Sequence, residues 1–558
     1  MTSAQAQSTD QKTKTTVIVG GVAGGMSTAT RLRRRDEQRN IIVFEASGHV
    51  SFANCGLPYH VSGTIPERQS LLLQTPESLK ARFNLDVRVN TRVTAIDREN
   101  KTVEVRNELS GETYTQEYDT LVLSPGAVPV LPPIPGIERA LTLRTVEDLD
   151  EIMAAIDDST RHAVLIGGGF IGLELAENMA ERGLNVTVLE RAPQILAPLD
   201  PEMAAIVTQR LRDNGVSVIT QADTIDIRED AVELADGRIL YSDIVVAAIG
   251  VRPANELAKE AGLEIGERGG IKVDEQLRTN DPAIFAIGDA AEKRDGISGE
   301  DTLVPLAQTA NRHGRLVADI IAGREGAQRA GTLGTAIVGL FGISAATVGW
   351  NEKRARTTDR NLRIIHLHPA NHAGYYPGAC QLHLKLVIDA DTDEILGAQA
   401  VGEDGADKRI DVIATAMRGG LKAADLADLE LAYAPQFGSA KDPVNMAGFI
   451  DDNALNGEKT VQWHELPKQM EEGWQLVDVR NPEEVQNGSI PGAINIPLDS
   501  LRERYQELGD TPTIVSCQVG LRGHVARTLL ENLGMKQVAN LDGGYLTWSF
   551  AQRAYHSD

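Results

Sequence analysis

Two cysteines carry the clearest chemistry in this chain of 558 residues. Cys55 lies in Ser51-Phe52-Ala53-Asn54-Cys55-Gly56-Leu57-Pro58, and no second cysteine stands near it. A lone thiol doing redox work must cycle through a mixed disulfide, a persulfide or a sulfenic acid. Cys517 follows the apolar strand Thr513-Ile514-Val515-Ser516 and opens the loop Cys517-Gln518-Val519-Gly520-Leu521-Arg522, with a helix expected from near Gly523. Such a loop can aim backbone amides at the sulfur, and the helix dipole adds positive potential. Both effects lower the thiol pKa and favour an anionic persulfide, and Arg522 is placed to hold either a charged donor or the persulfide itself. Cys380, beside Leu382, Leu384 and Leu386, reads as a packing residue.

The elements that must position these thiols begin with a nucleotide-binding pattern. Thr16-Val17-Ile18-Val19 is a buried strand, Gly20-Gly21-Val22-Ala23-Gly24-Gly25 a turn, and Met26 to Arg35 a helix. Ile41-Ile42-Val43-Phe44 follows, closed by Glu45 and Ala46. The pattern recurs in Ala163-Val164-Leu165-Ile166, Gly167-Gly168-Gly169-Phe170-Ile171-Gly172, a helix through Arg182, and Val186-Thr187-Val188-Leu189 closed by Glu190. The glycines let the backbone approach a pyrophosphate at the positive end of the helix, while the closing carboxylate accepts from ribose hydroxyls. The second turn matches G-x-G-x-x-G; in the first, Val22 stands where the middle glycine belongs. Two such units predict two dinucleotide sites.

Further strand-to-glycine phrases end at Gly126-Ala127, at Gly250 and at Gly288-Asp289. Together these segments, from Thr15 to about Gly448, resemble the two-dinucleotide flavoprotein disulfide reductases. The resemblance implies FAD on the first turn with Asp289 against the flavin's ribityl chain, and a nicotinamide nucleotide on the second. It also implies a dimerisation domain, hence a homodimer. A carboxylate at Glu190 favours NADH over NADPH, although neighbouring Arg191 softens that bias.

Most members of that family pair two cysteines four residues apart, whereas here Ser51 occupies the partner position. The segment Ser51 to Tyr59 resembles the coenzyme A-disulfide reductases, whose relatives include persulfide reductases and single-cysteine NADH oxidases and peroxidases. His372-Ala373-Gly374-Tyr375-Tyr376-Pro377-Gly378 and Tyr433-Ala434-Pro435-Gln436-Phe437-Gly438 resemble the same branch. There, two tyrosines of the partner subunit reach the cysteine; by motif they are Tyr375 and Tyr433, with Tyr376 the rival for the first. The resemblance also assigns Ser51, Phe52 and Asn54 to the pantetheine path, and Asn311 and Arg315 to coenzyme A contacts.

The last hundred residues resemble a rhodanese domain, through Gln475-Leu476-Val477-Asp478-Val479-Arg480, Gly488-Ser489-Ile490-Pro491-Gly492-Ala493 and Leu541-Asp542-Gly543-Gly544-Tyr545. A six-residue loop after the cysteine suits sulfur transfer, where one residue more would suit a phosphate.

The expected fold class is α/β: two Rossmann-like domains, an α+β dimerisation domain and a C-terminal rhodanese-like domain. The expected boundaries are a tail at 1–13, the FAD domain at 14–150 and 280–330, and the NAD(P)H domain at 151–279. The dimerisation domain then spans 331–450, a linker 451–460 and the rhodanese domain 461–558. A formal charge of −24 argues against nucleic-acid and anionic-membrane partners. Three cysteines and no apolar leader fit a reducing cytoplasm. His366, His368, His372 and His383 lack a completing Cys or carboxylate, so a surface or interface is expected there and no metal.

The reaction expected is NAD(P)H-dependent, FAD-dependent reduction of coenzyme A persulfide, coenzyme A disulfide or polysulfide, with Cys517 carrying sulfane sulfur. The alternatives are an NADH oxidase or peroxidase in which Cys55 cycles through sulfenic acid, and a redox-gated sulfur-relay protein.

Overall fold

The computed structural model describes residues 13–555, so the expected tail at 1–13 lies almost wholly outside the described residues. The described chain forms two compact units. The first takes the described residues to 167 with 178–186 and 224–332; the second takes 168–177, 187–223 and 333 onward. The residues expected as the NAD(P)H domain, 151–279, fall partly in each unit. The division falls inside its glycine turn: Gly167 packs beneath the carbonyl of Ala248, whereas Gly168 packs on Ile195.

In the first unit, Ile284–Ala286, Thr120–Leu123, Thr15–Val19, Asn40–Phe44 and Asp86–Arg88 form a parallel sheet in that order. Apart from the edge strand Asp86–Arg88 and the opening Thr and Asn residues, these strands are buried on both faces and apolar instead of alternating with polar residues. Val17, Val19, Ile42, Phe44, Leu121 and Leu123 point to one layer. Ile18, Ile41, Val43 and Val122 point to the other. Each such side chain contributes about 1.5–3 kcal/mol by leaving water. An antiparallel meander, Thr91–Asp97, Thr102–Asn107 and Thr113–Glu117, accompanies the sheet.

The second unit holds two five-stranded sheets. The antiparallel one runs Ala336–Leu340, Ile343–Gly349, Ile395–Gly402, Leu382–Asp389, Leu362–Leu367, with the helix Ala406–Gly419 sharing its core. The parallel one runs Thr460–Val461, Val538–Leu541, Thr513–Ser516, Gln475–Asp478, Ile494–Asn495. Its layers again follow alternation, with Val477 and Val515 on one side and Leu476 and Ile514 on the other. No described helix is long and apolar enough to cross a membrane.

The linker expected at 451–460 needs correction. Its first half is the end of the helix Pro443–Leu455. Asp451 is fully buried there and accepts from Arg363 Nε at 2.6 Å. Its second half reaches the strand Thr460–Val461, leaving residues 456–459 outside regular structure.

Candidate active sites

The first glycine turn is built for close approach. Gly20 has φ +100°, and a Cβ there would lie 2.0 Å from the carbonyl oxygen of Ser124, so only glycine fits. Val22 caps the helix Ala23–Arg35, which starts within the expected turn, three residues before Met26. Glu45 accepts from Gly21 N at 2.7 Å and from Ser47 N at 2.9 Å. The second turn repeats this wiring. Glu190 accepts from Gly168 N at 2.8 Å and from Ala192 N at 2.7 Å. Each carboxylate thus tethers its own turn as well as ending its strand. A Cβ on Gly169 would enter open space, leaving room for a ligand before the helix Phe170–Glu181, where Ile171 is exposed. Gly250 has φ +131° and likewise borders open space.

At the same carboxyl end of the first sheet, just after its edge strand Ile284–Ala286, Asp289 sits in the short helical turn Gly288–Ala290. Burial pushes its pKa up, opposed by Lys293 and Arg144. Lys293 Nζ donates to the carbonyls of Gly288 at 2.5 Å and Ala291 at 3.1 Å, and burial pushes its own pKa down to about 8. Arg144 donates to the carbonyl of Pro125 at 3.1 Å, beside Gly126 and close to Ala127 at the head of the strand Ala127–Pro129. Neither cation carries a motif, and sequence reading missed both.

The helix Ala307–Ile321 packs its first turn against Gly288, with Ala310 facing it. Thr309 Oγ1 and His313 Nδ1 on this helix are buried without a protein partner. Burial, then Lys293 and Arg329, push His313 down to about 3, so it is neutral. Orphaned buried polar atoms beside a permissive glycine turn and a half-buried carboxylate fit a large polar cofactor such as FAD.

Ser51 N donates to the carbonyl of Gly21 at 2.8 Å, which ties the cysteine loop to the first glycine turn. Ser51 has φ +51°, an uncommon conformation for serine. Phe52 is buried and bridges to Leu72. Asn54 and Cys55 lie in the short helical turn Asn54–Gly56, and both are exposed. Asn311 accepts from Ser27, and it and Arg315 lie exposed one turn apart on the helix Ala307–Ile321.

In the second unit, Tyr375 and Tyr433 come together with their hydroxyls 3.2 Å apart. Both are exposed, at 77% and 50%. Tyr376 instead packs edge-on against His372. Cys380 precedes the strand Leu382–Asp389 rather than lying in it, and is only half-buried. Burial, with Glu403 and Asp404 nearby, pushes its pKa up and keeps it a thiol.

Cys517 is fully buried at the end of Thr513–Ser516. Gly520 N donates to its Sγ at 3.2 Å. The helix that follows is Leu521–Asn532, so Arg522 falls in its first turn. Its guanidinium was expected to stand ready for an anion, but it is paired with Glu484 through two bonds of 2.7 and 2.6 Å. Glu484 is thereby held down to about 2. Glu484 was legible only as the fourth residue of the capping box begun by Asn481. Arg480 is bound to Asp478 at 2.6 Å and stacks over the Tyr545 ring.

Among the described residues, Asp200, Glu202 and Glu352 converge as a metal site would. The fully buried Lys385 ammonium stands among them, at 2.9, 2.5 and 2.6 Å. It supplies the positive charge itself.

Three family models cover most of the chain. Residues 14–314 match the pyridine nucleotide-disulphide oxidoreductase family, 335–443 its dimerisation domain and 462–551 the rhodanese-like domain. The Coenzyme A disulfide reductase of Staphylococcus haemolyticus is 34% identical over 434 residues, 78% of this chain and 98% of that protein. The crystal structure of reduced Bacillus anthracis CoADR-RHD superposes with a TM-score of 0.95 at 47% identity, covering 97% of this chain and 99% of that one. An NAD-dependent persulfide reductase from A. fulgidus superposes with a TM-score of 0.90 at 36% identity, covering 96% and 100%. Such a family implies FAD and a nicotinamide nucleotide as cofactors. The chain belongs to the pyridine nucleotide-disulphide oxidoreductases, as an oxidoreductase of the coenzyme A disulfide reductase kind with a C-terminal rhodanese domain.

Proposed function

We propose that this protein reduces coenzyme A persulfide, with coenzyme A disulfide and polysulfide as further substrates, and that its rhodanese domain carries sulfane sulfur on Cys517. The observation that carries this reading is the pairing in one chain of an exposed thiol beside a dinucleotide turn with a buried thiol facing a backbone amide. A plain disulfide reductase has no use for the second. The names of the similar proteins, a coenzyme A disulfide reductase and a persulfide reductase, support the substrate class.

FAD, when bound, supplies the electrons that come from the nicotinamide nucleotide. Asp289, Lys293, Thr309 and the Gly20–Gly25 turn would hold it, and Gly167–Gly172 with Glu190 would hold NADH in preference to NADPH. The Cys55 thiolate attacks the outer sulfur of coenzyme A persulfide. A new S–S bond forms to Cys55, the old one breaks, and coenzyme A leaves as its thiolate. Two electrons and a proton then cleave the Cys55 persulfide to thiolate and hydrogen sulfide. The balance is NADH, one proton and coenzyme A persulfide giving NAD⁺, coenzyme A and hydrogen sulfide.

Ser51, Phe52 and Asn54 line the path to Cys55, Asn311 and Arg315 bind the coenzyme A, and Tyr375 and Tyr433 from the second subunit of a homodimer protonate the leaving thiolate. The test is anaerobic NADH oxidation with coenzyme A persulfide and coenzyme A disulfide side by side, tracking sulfide. Fast persulfide turnover lost in Cys55→Ser is the expected result. NADH consumption only when oxygen is admitted would overturn it in favour of an oxidase.

A further inference from the structure

The histidines of the strand Leu362–Leu367 and its neighbour are not on a surface. His366, His368 and His383 are covered by the turn Asp542-Gly543-Gly544 and the helix Gly544–Tyr555 of the rhodanese domain. His366 Nδ1 lies 2.6 Å from Asp542 Oδ2, and its Nε2 lies 3.0 Å from Glu202 Oε1. A neutral imidazole has one N–H, so two carboxylate partners require the imidazolium. The backbone N of His366 donates to the same Asp542 carboxylate at 3.0 Å, and Gln462 Nε2 adds a bond of 3.2 Å.

The turn that holds Asp542 has a second side, which faces Cys517. Gly543 and Gly544 both have φ +64°. A Cβ on Gly543 would lie 2.8 Å from His366 Cβ; one on Gly544 would lie 2.5 Å from the Cys517 carbonyl oxygen and 2.9 Å from Gly520 N. Tyr545 N and Leu546 N donate to the carbonyls of Cys517 and Gln518 at 2.7 and 3.0 Å. Three residues therefore connect the imidazolium to the loop around the sulfur.

We propose that His366 and Asp542 are positioning residues for Cys517: their ion pair sets the turn that backs the Cys517 loop, and so keeps Gly520 N aimed at the sulfur. The proposal rests on the reading of Cys517 as the sulfane carrier. The charged and titratable groups around His366 are Asp200 before and Glu202 in the first turn of the helix Pro201–Asp213, and Lys385 and His383 on the strand Leu382–Asp389. Glu352, His368 and Asp542 complete the set. Burial opposes the charge on His366, but the bonds to Asp542 and Glu202 lift its pKa to about 9. A raised pKa means the pair is fully formed below the ordinary histidine value of about 6.5 and is lost as pH rises through about 9.

The test uses the full-length protein with thiosulfate as donor and cyanide as acceptor. The Cys517 thiolate takes the outer sulfur and releases sulfite; cyanide then takes that sulfur as thiocyanate and restores the thiolate. His366→Gln and Asp542→Asn are expected to lower kcat for thiocyanate about tenfold with the thiosulfate KM within twofold. NADH oxidation through Cys55 should be unchanged, which reports an intact fold. The wild type should lose activity near pH 9, and His366→Gln should lack that limb. The pH midpoint of Cys517 alkylation, read with Cys55 and Cys380 replaced by serine, should rise by about half a unit or more in both variants. Wild-type kcat and an unmoved alkylation midpoint would overturn the positioning role. A wild type that makes no thiocyanate while the alkylation midpoint still moves would overturn the sulfane reading and leave the positioning role standing.

Discussion

The hydroxyls of Tyr375 and Tyr433 stand 3.2 Å apart across a separation of 58 residues, on an exposed face of the second unit. Their mutual bond keeps the Tyr375 phenol above the ordinary tyrosine range, so it is a proton donor at neutral pH. If the pair protonates a leaving thiolate, its members act as one. Tyr375→Phe and Tyr433→Phe should each lower kcat by about 10²-fold, the low end for a lost general acid. The double variant should be little worse than either single one, as measured by steady-state NADH oxidation with coenzyme A persulfide.

Arg522 and Glu484 give a second test. The bidentate pair neutralises the Arg522 guanidinium, so Glu484→Gln should release it. The KM for an anionic sulfur donor is expected to fall about threefold in Glu484→Gln and to rise about tenfold in Arg522→Gln, the size of one charge-assisted hydrogen bond. Because the Glu484 pKa is depressed to about 2, the pair contributes above the ordinary glutamate value of about 4.3 and is lost only as pH falls through about 2. The difference between the variants should therefore persist from pH 5 to pH 8.

Glu190 tests nucleotide choice. Its two amide bonds fix a carboxylate where a ribose 2′-hydroxyl would be bound and a 2′-phosphate repelled. Wild-type enzyme should prefer NADH by kcat/KM. Glu190→Gln, which removes the charge but retains an acceptor, should narrow that preference about tenfold, mainly by lowering the KM for NADPH.

Lys385 tests the buried ion cluster. Replacing it with methionine preserves much of the volume but strands Asp200, Glu202 and Glu352 together without their cation. Breaking a buried pair in this way costs about 3–5 kcal/mol. The urea midpoint of the transition reporting the second unit should fall accordingly, and lowering the pH should recover part of the loss as the carboxylates protonate.

The parts legible in the sequence are those whose physics is local. A buried strand, a glycine turn and a closing acid declare themselves within thirty residues, as Thr15 to Glu45 and Ala163 to Glu190 do. The loops around Cys55 and Cys517 are equally compact. What escaped was decided by distant partners. Nothing near Arg522 says that Glu484, 38 residues earlier, will occupy it. Asp451-Asp452-Asn453 reads as a polar linker because Arg363, the partner that draws Asp451 into the interior, is 88 residues away. Lys293 and Arg144 carry no pattern, and their importance appears only once folding sets them beside Asp289. The histidine alternation was readable as an interface, but its rhodanese partner was not.

The helix that replaces the expected linker bears on how sulfur can travel. Between Leu455 and Thr460 the leash is residues 456–459, which fully extended reach about 14 Å. Asp451 anchors one end of it in the interior, and Gln462 anchors the other through a bond to the Ile364 carbonyl at 3.0 Å. A leash so short and doubly fastened does not let the rhodanese domain shuttle. If Cys517 carries sulfane sulfur, a domain fastened in this way cannot deliver it by swinging outward, and the acceptor has to come to the loop.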